Sequence, residues 1–210
     1  MQRHSLISIA GLLFLIACNS TRKPSDVNFT KSINEYLAKH GETCTSIGRQ
    51  LPMDIPASTQ QTQYGFGPQL AVLQQAGLVS ESDTTAVVHG MLDPLRGASP
   101  PQPVRRYQLT TEGRKYFRQV PGTFGQTGGF CYGQKTVDSI VKWTEPTATQ
   151  SDAQAEVVYT YKLVNPASWA ERPDVQEMFP DIKATMNGQS KTNQIVGLQL
   201  TNKGWYVPGI

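Results

Sequence analysis

The chain reads as an α+β protein, with an α/β first half followed by a small antiparallel sheet and a short helical crossover. Three observations predict this. Apolar residues recur at helical spacing near the start, a glycine-rich run at 121–133 interrupts the chain, and beyond it the apolar period changes to two. The segments that follow are a leader over 1–17, a tether over 18–27, a first domain over 28–120, a linker over 121–133 and a sheet domain over 134–210.

The first helix is expected from Phe29 to Lys39, because Phe29, Ile33, Tyr36 and Leu37 share one face. Ser32 and Glu35 have capping-box spacing, and Gly41 suits the exit. A second helix opens at Pro68, which fits a first helical position after Gly67, and ends at Gly77. Leu78 and Val79 then start a strand. A polar loop with Asp93-Pro94 and Gly97 to Pro103 lies between the candidate strands Ala86 to Val88 and Val104 to Leu109. Thr110 and Thr111 offer an N-cap for a short helix through Phe117, although Gly113 inside it costs about 1 kcal/mol relative to alanine.

Ala76-Gly77-Leu78-Val79, followed by Arg106-Tyr107-Gln108-Leu109-Thr110-Thr111-Glu112-Gly113, resembles the end of a winged helix whose strand pair forms the wing. The resemblance covers residues 28–120. The segment in the recognition-helix position, Pro68 to Ala76, holds no Lys or Arg to meet phosphate or guanine, so no nucleic-acid partner is expected.

In the second half, Val137, Ser139, Val141 and Trp143 read as one strand face, and Ala155, Val157, Tyr159, Tyr161 and Leu163 as the next. Ile195 to Thr201 turns at Asn202-Lys203-Gly204 into Trp205-Tyr206-Val207, a hairpin signature. Ser168 to Phe179, broken at Pro173, supplies the crossover, with Trp169 and Phe179 as lids on the apolar face of the sheet. Phe130-Cys131-Tyr132-Gly133 through the Trp205 hairpin resembles domains of uncharacterised bacterial envelope proteins, a resemblance that brings no function with it.

Arg3 precedes an apolar run from Leu6 to Ala17 that ends at Leu15-Ile16-Ala17-Cys18. About 12 apolar residues are too few for the ~20 that span a bilayer. The motif resembles the lipobox of bacterial lipoproteins, which implies cleavage before Cys18, acylation of its thiol and amino group (palmitate among the chains), and attachment to the cell envelope. Asn19, where an aspartate would retain such a protein in the inner membrane, implies the periplasmic face of the outer membrane. Cys44 and Cys131 then lie in an oxidising compartment and are expected to pair; two buried thiols are the alternative.

Removal of residues 1–17 takes Arg3 and leaves 18 Lys and Arg against 16 Asp and Glu. This near-neutral balance lacks the dense basic surface of nucleic-acid binders. Only His40 and His89 remain, with no HExxH, no GxSxG and no CxxC, so neither a catalytic residue, a metal nor a cofactor is expected. Ser20 to Lys23 and Ser139 to Lys142 match Ser-x-x-Lys; the first lies in the tether, and strict alternation sends the second pair to opposite faces. Asp174, Glu177 and Asp181 read as a solvated acidic face, with a cation site as the alternative. Arg105, Arg106, Arg114, Lys115 and Arg118 form the densest positive cluster, read as a solvated face or a contact for anionic lipid or an acidic partner.

The expectation is therefore a non-enzymatic lipoprotein of the outer membrane whose body binds a protein or another envelope component. An immunity or inhibitor protein against a toxin and an envelope enzyme acting on glycan or peptide are the alternatives. Trp169, Phe179, Trp205 and Tyr206 are the candidate binding residues, since turn-adjacent aromatics anchor interfaces, and at least one of Trp169 and Trp205 is expected to be exposed.

Overall fold

The computed structural model describes residues 20–56, 66–88, 100–123, 125–146 and 153–209. After a 3-10 turn at Ser20–Arg22, helix α1 (Asp26–His40) leads into β1 (Glu42–Ser46), β2 (Met53–Pro56), α2 (Phe66–Gln75), β3 (Val79–Ala86) and β4 (Gln102–Leu109). Helix α3 (Thr111–Tyr116), β5 (Phe117–Gly122), β6 (Gly125–Trp143) and β7 (Gln154–Val164) follow. A 3-10 turn at Ser168–Glu171, α4 (Pro173–Met178), α5 (Pro180–Asn187), β8 (Asn193–Thr201) and β9 (Gly204–Tyr206) complete the order. The mixture of helices and antiparallel sheets makes the protein α+β. Among the described residues, no helix is long and apolar enough to cross a membrane.

The larger sheet runs β1-β6-β7-β8-β9 with β5 added to β6, and β2-β4-β3 forms a smaller one. Both contribute to one continuous core, in which Met53, Val79 and Tyr107 of the smaller sheet join Phe130, Val157 and Leu198 of the larger. Within the glycine-rich run, residues 121–122 belong to β5 and 125–133 to β6, and α1 and β1, from the first half, are built onto β6.

Gly128 and Gly129 serve close packing. A Cβ on Gly128 would lie 2.5 Å from the Arg49 carbonyl oxygen, and one on Gly129 would lie 2.8 Å from that of Thr45. Only hydrogen fits where the chain beyond β1 crosses β6.

Helix α1 starts earlier than its apolar face indicates. Ser25, not Ser32, is the N-cap, its hydroxyl accepting from the Asn28 N–H. Ser32 is buried in mid-helix, where its hydroxyl donates to the Trp205 carbonyl at 2.7 Å. Phe29 meets Trp143 and Trp205 edge-on, with ring centroids 5.3 and 5.1 Å away, contacts worth about 0.5–1.5 kcal/mol each beyond burial. The Asn34 side-chain oxygen accepts from the Val137 N–H at 2.8 Å, and the Gly41 carbonyl accepts from the Lys135 N–H at 2.8 Å. The helix thus satisfies backbone groups along β6.

Strand β6 departs from strict alternation. Irregularities between Val137 and Ser139 and between Ile140 and Lys142 insert residues, so Val137, Ile140 and Trp143 face the core while Val141 is exposed. The expected face of Val137, Ser139, Val141 and Trp143 is corrected accordingly. Ser139 and Lys142 pair opposite Thr160 and Val158, two residues apart on β7, and so share the outer face. Their separation on opposite faces does not hold, and the Ser139 hydroxyl is hydrogen-bonded with that of Thr160 at 2.8 Å.

Cys44 and Cys131 face one another across β1 and β6 and form the expected disulfide. It closes a loop with a sequence separation of 87. Replacing both cysteines by alanine is expected to lower stability by about 2–4 kcal/mol, read from denaturant unfolding. Gly113 gives a second expectation with a reversed sign. Exposed helical glycines usually gain from alanine, but here a Cβ would stand 1.9 Å from the Leu78 carbonyl oxygen. Gly113→Ala should cost about 2 kcal/mol or more, a fall of roughly 4–8 °C in Tm; an unchanged or higher Tm would contradict the packing of α3 on β3.

Candidate functional site

The aromatic residues chosen from their turn positions mostly belong to the core. Trp169, Phe179 and Trp205 are 5%, 3% and 5% exposed, which overturns the expectation that Trp169 or Trp205 is accessible. Trp169 meets Tyr116, Phe130 and Tyr132 edge-on at 6.0–6.2 Å. Trp205 is covered because β9 folds back beneath α1 and places it on Phe29. Tyr206, on the opposite side of the same short strand, is 40% exposed and lines a shallow groove of about 280 Å³ with Tyr36, Lys39 and His40.

The charged clusters also separate. Asp174 accepts both branches of the Arg172 guanidinium, the shorter at 2.7 Å, Asp181 accepts from the Thr45 hydroxyl at 3.2 Å, and Glu177 is exposed. These three acids do not converge as cation ligands; among the described residues, the one group of metal-type side chains is Glu42, Cys44 and Cys131, whose sulfurs are joined in the disulfide. Four of the five members of the positive cluster meet a carboxylate. Arg105 pairs with Glu81 at 3.3 Å, Arg106 forks onto Asp54, Lys115 pairs with Glu112, and Arg118 lies 3.6 Å from Glu42; Arg114 is exposed on α3.

A larger concavity among the described residues lies between the chain leaving β1 and the β5–β6 hairpin. It measures about 610 Å³, with Ser46, Gly48, Arg49 and Gln50 on one wall and residues 121–123 and 125–127 on the other. Two backbone hydrogen bonds hold the walls together, Ile47 N–H to the Gly128 carbonyl and Gly128 N–H to the Arg49 carbonyl, each at 3.0 Å. The absence of a Cβ at Gly128 allows this approach. Gln50 and Gln119 exchange amide hydrogen bonds at 2.7 and 2.8 Å, which fixes the Gln50 side chain at the groove edge. The Arg49 guanidinium stands 4.9 Å above the Phe66 ring, a cation–π contact that orients it. Thr127 is buried, and its hydroxyl has no hydrogen-bond partner among the described residues.

The groove thus offers hydroxyls, amides, glycine backbone and one cation, and among the described residues its lining contains no carboxylate, histidine or free thiol. Such a set donates and accepts hydrogen bonds; it supplies neither a general base nor a nucleophile with a base beside it. None of Arg49, Gln50, Gln126 and Thr127 stood out in the sequence. The signal present there is the glycine run, expected as a linker. No protein family, no curated protein and no solved structure matches the chain.

The Arg106 fork, with both contacts at 2.7 Å, holds the Asp54 carboxyl below its ordinary value of 3.8. A carboxyl depressed in the folded state adds stability above its unfolded value, and that contribution is lost as pH falls through the folded one. Asp54→Asn should therefore lower Tm at about pH 7 and progressively cease to matter below about pH 4. The pair is partly solvent-exposed, so added salt should shrink the difference at neutral pH. Parallel melting curves of both proteins against pH provide the check, and a gap that widens in acid would contradict the assignment.

Proposed function

We propose that this is a lipid-anchored protein of the bacterial envelope that acts by binding a partner, with the Arg49–Thr127 groove as its contact site. One observation carries the binding reading: the groove collects hydrogen-bonding side chains around an oriented guanidinium and a buried unpaired hydroxyl, without proton-transfer groups. The anchoring reading rests on Leu15-Ile16-Ala17-Cys18 and on the Cys44–Cys131 disulfide between β1 and β6, as suits an oxidising compartment. Asn19 favours the outer membrane.

The partner we favour is a protein segment with a carbonyl-rich or acidic surface, which Arg49 would meet with charge-assisted hydrogen bonds. The winged-helix likeness of residues 28–120 leads to no nucleic-acid reading. Helix α2 has neither Lys nor Arg, and the arginines of the adjacent strand β4 are held by Glu81, Asp83 and Asp54.

Two measurements test the proposal. Metabolic labelling with a fatty-acid analogue should mark the wild type and not Cys18→Ala; equal labelling of both removes the anchor. A photo-crosslinking residue at Gln126 in intact cells should capture a defined protein that the same residue at Lys191 does not. Arg49→Ala should reduce that capture about tenfold or more, as expected for loss of a charge-assisted contact of about 1.5–3 kcal/mol. Capture that is equal at both positions, or indifferent to Arg49→Ala, places binding elsewhere.

A further inference from the structure

The segment after Cys18 is attached to the body almost at once. The 3-10 turn Ser20–Arg22 lies on β9, where a Cβ on Gly204 would be 3.0 Å from the Thr21 carbonyl oxygen. The indole N–H of buried Trp205 donates to the Arg22 carbonyl at 3.1 Å. The Asn28 side-chain amide donates to the Lys23 carbonyl at 2.8 Å, and Ser25 caps α1. Residues 20–27, expected to belong to a free tether, are therefore folded structure. Only two peptide steps connect Cys18 with Ser20, a reach of about 7 Å.

We infer that the end of the body formed by residues 20–27 and the β8–β9 turn seats directly on the bilayer leaflet that holds the Cys18 acyl chains. The inference rests on the lipid anchor proposed above and adds the orientation of the body. A flexible tether of ten residues would let any face approach the membrane; a reach of about 7 Å permits only the faces next to Ser20. The chemistry of that end suits anionic headgroups. Lys23 and Lys203 are exposed, and neither has a carboxylate partner among the described residues. Asp26, the acid of the same end, accepts from the Trp143 indole N–H at 3.0 Å. Val27 is 78% exposed on the first turn of α1, an apolar side chain placed to enter the interfacial layer. Near a membrane surface each such lysine adds attraction that salt screens within a Debye length.

Strand β6 sets what this seating does to the groove. Its last residue, Trp143, touches Asp26 at the membrane end, and its first, Gly125, lies in the groove wall. The two are separated by roughly 60 Å of strand contour, so the groove is presented away from the anchoring leaflet.

The test uses the full-length acylated protein in vesicles of phosphatidylethanolamine and phosphatidylglycerol containing a headgroup-borne quencher. A fluorophore is attached through Lys203→Cys, Lys23→Cys or Gln126→Cys, the Cys44–Cys131 pair remaining oxidised. Emission should be largely lost at positions 203 and 23 and retained at 126. A flexible Gly-Ser insertion between Asn19 and Ser20 should restore emission at 203 while the protein still floats with the vesicles. Flotation with equal quenching at 203 and 126 overturns the seating and leaves the anchor intact. Failure to float overturns the anchor and the seating together.

Discussion

Strand β6 pairs with three partners along its 19 residues, and the rest of the molecule depends on that pairing. Gly125 to Phe130 bond to β5, Gly129 to Gln134 bond to β1, and Gln134 to Trp143 bond to β7. Where β1 and β5 flank it together, backbones come so close that side chains are excluded at Gly128 and Gly129. Farther along, β-bulges turn Val137, Ile140 and Trp143 toward α1. The disulfide then links β1 to β6 covalently, within the region that the glycines pack.

This arrangement explains why charge is spent locally. Each carboxylate beside a basic residue of β4, α3 or β5 holds a nearby cation, from Asp54 on Arg106 to Glu42 on Arg118. Such pairs contribute modestly to stability at the surface, but they offset most of the positive charge of the cluster from Arg105 to Arg118. Among the described residues, the basic side chains without a carboxylate partner include Arg49 at the groove and Lys23 and Lys203 at the other end of β6. The molecule is thus polarised along one strand, with an apolar-tipped, lysine-bearing end and a hydrogen-bonding groove. An envelope protein held by its amino terminus would use the first for the membrane and the second for a partner.

The pattern of residues determined much of this protein. Helical spacing placed α1, Pro68 and Gly77 marked α2, although it starts at Phe66 rather than at Pro68, Thr110 capped α3, and Asn202-Lys203-Gly204 made the β8–β9 turn, because each signal acts within a few residues of chain. The pairing of Cys44 with Cys131 was legible from compartment chemistry. The expected inward face of β7 held, since Ala155, Val157, Tyr159, Tyr161 and Leu163 are all buried, and Val158 and Thr160 on the other face are buried as well. Tertiary structure alone decided the rest. Two bulges convert the period of β6 from two to three, so its core residues fall at a spacing that resembles a helix. The glycine run became packed strand, because a missing Cβ serves close approach as well as turning, and which use applies depends on a distant backbone. Trp169 and Trp205 were buried by helices that return from elsewhere in the chain, and the groove joins residues 46–50 with 121–127, whose proximity is set by long-range strand pairing. Local sequence fixes which elements form; which faces they bury and where they leave a site open follows from contacts between residues far apart in the chain.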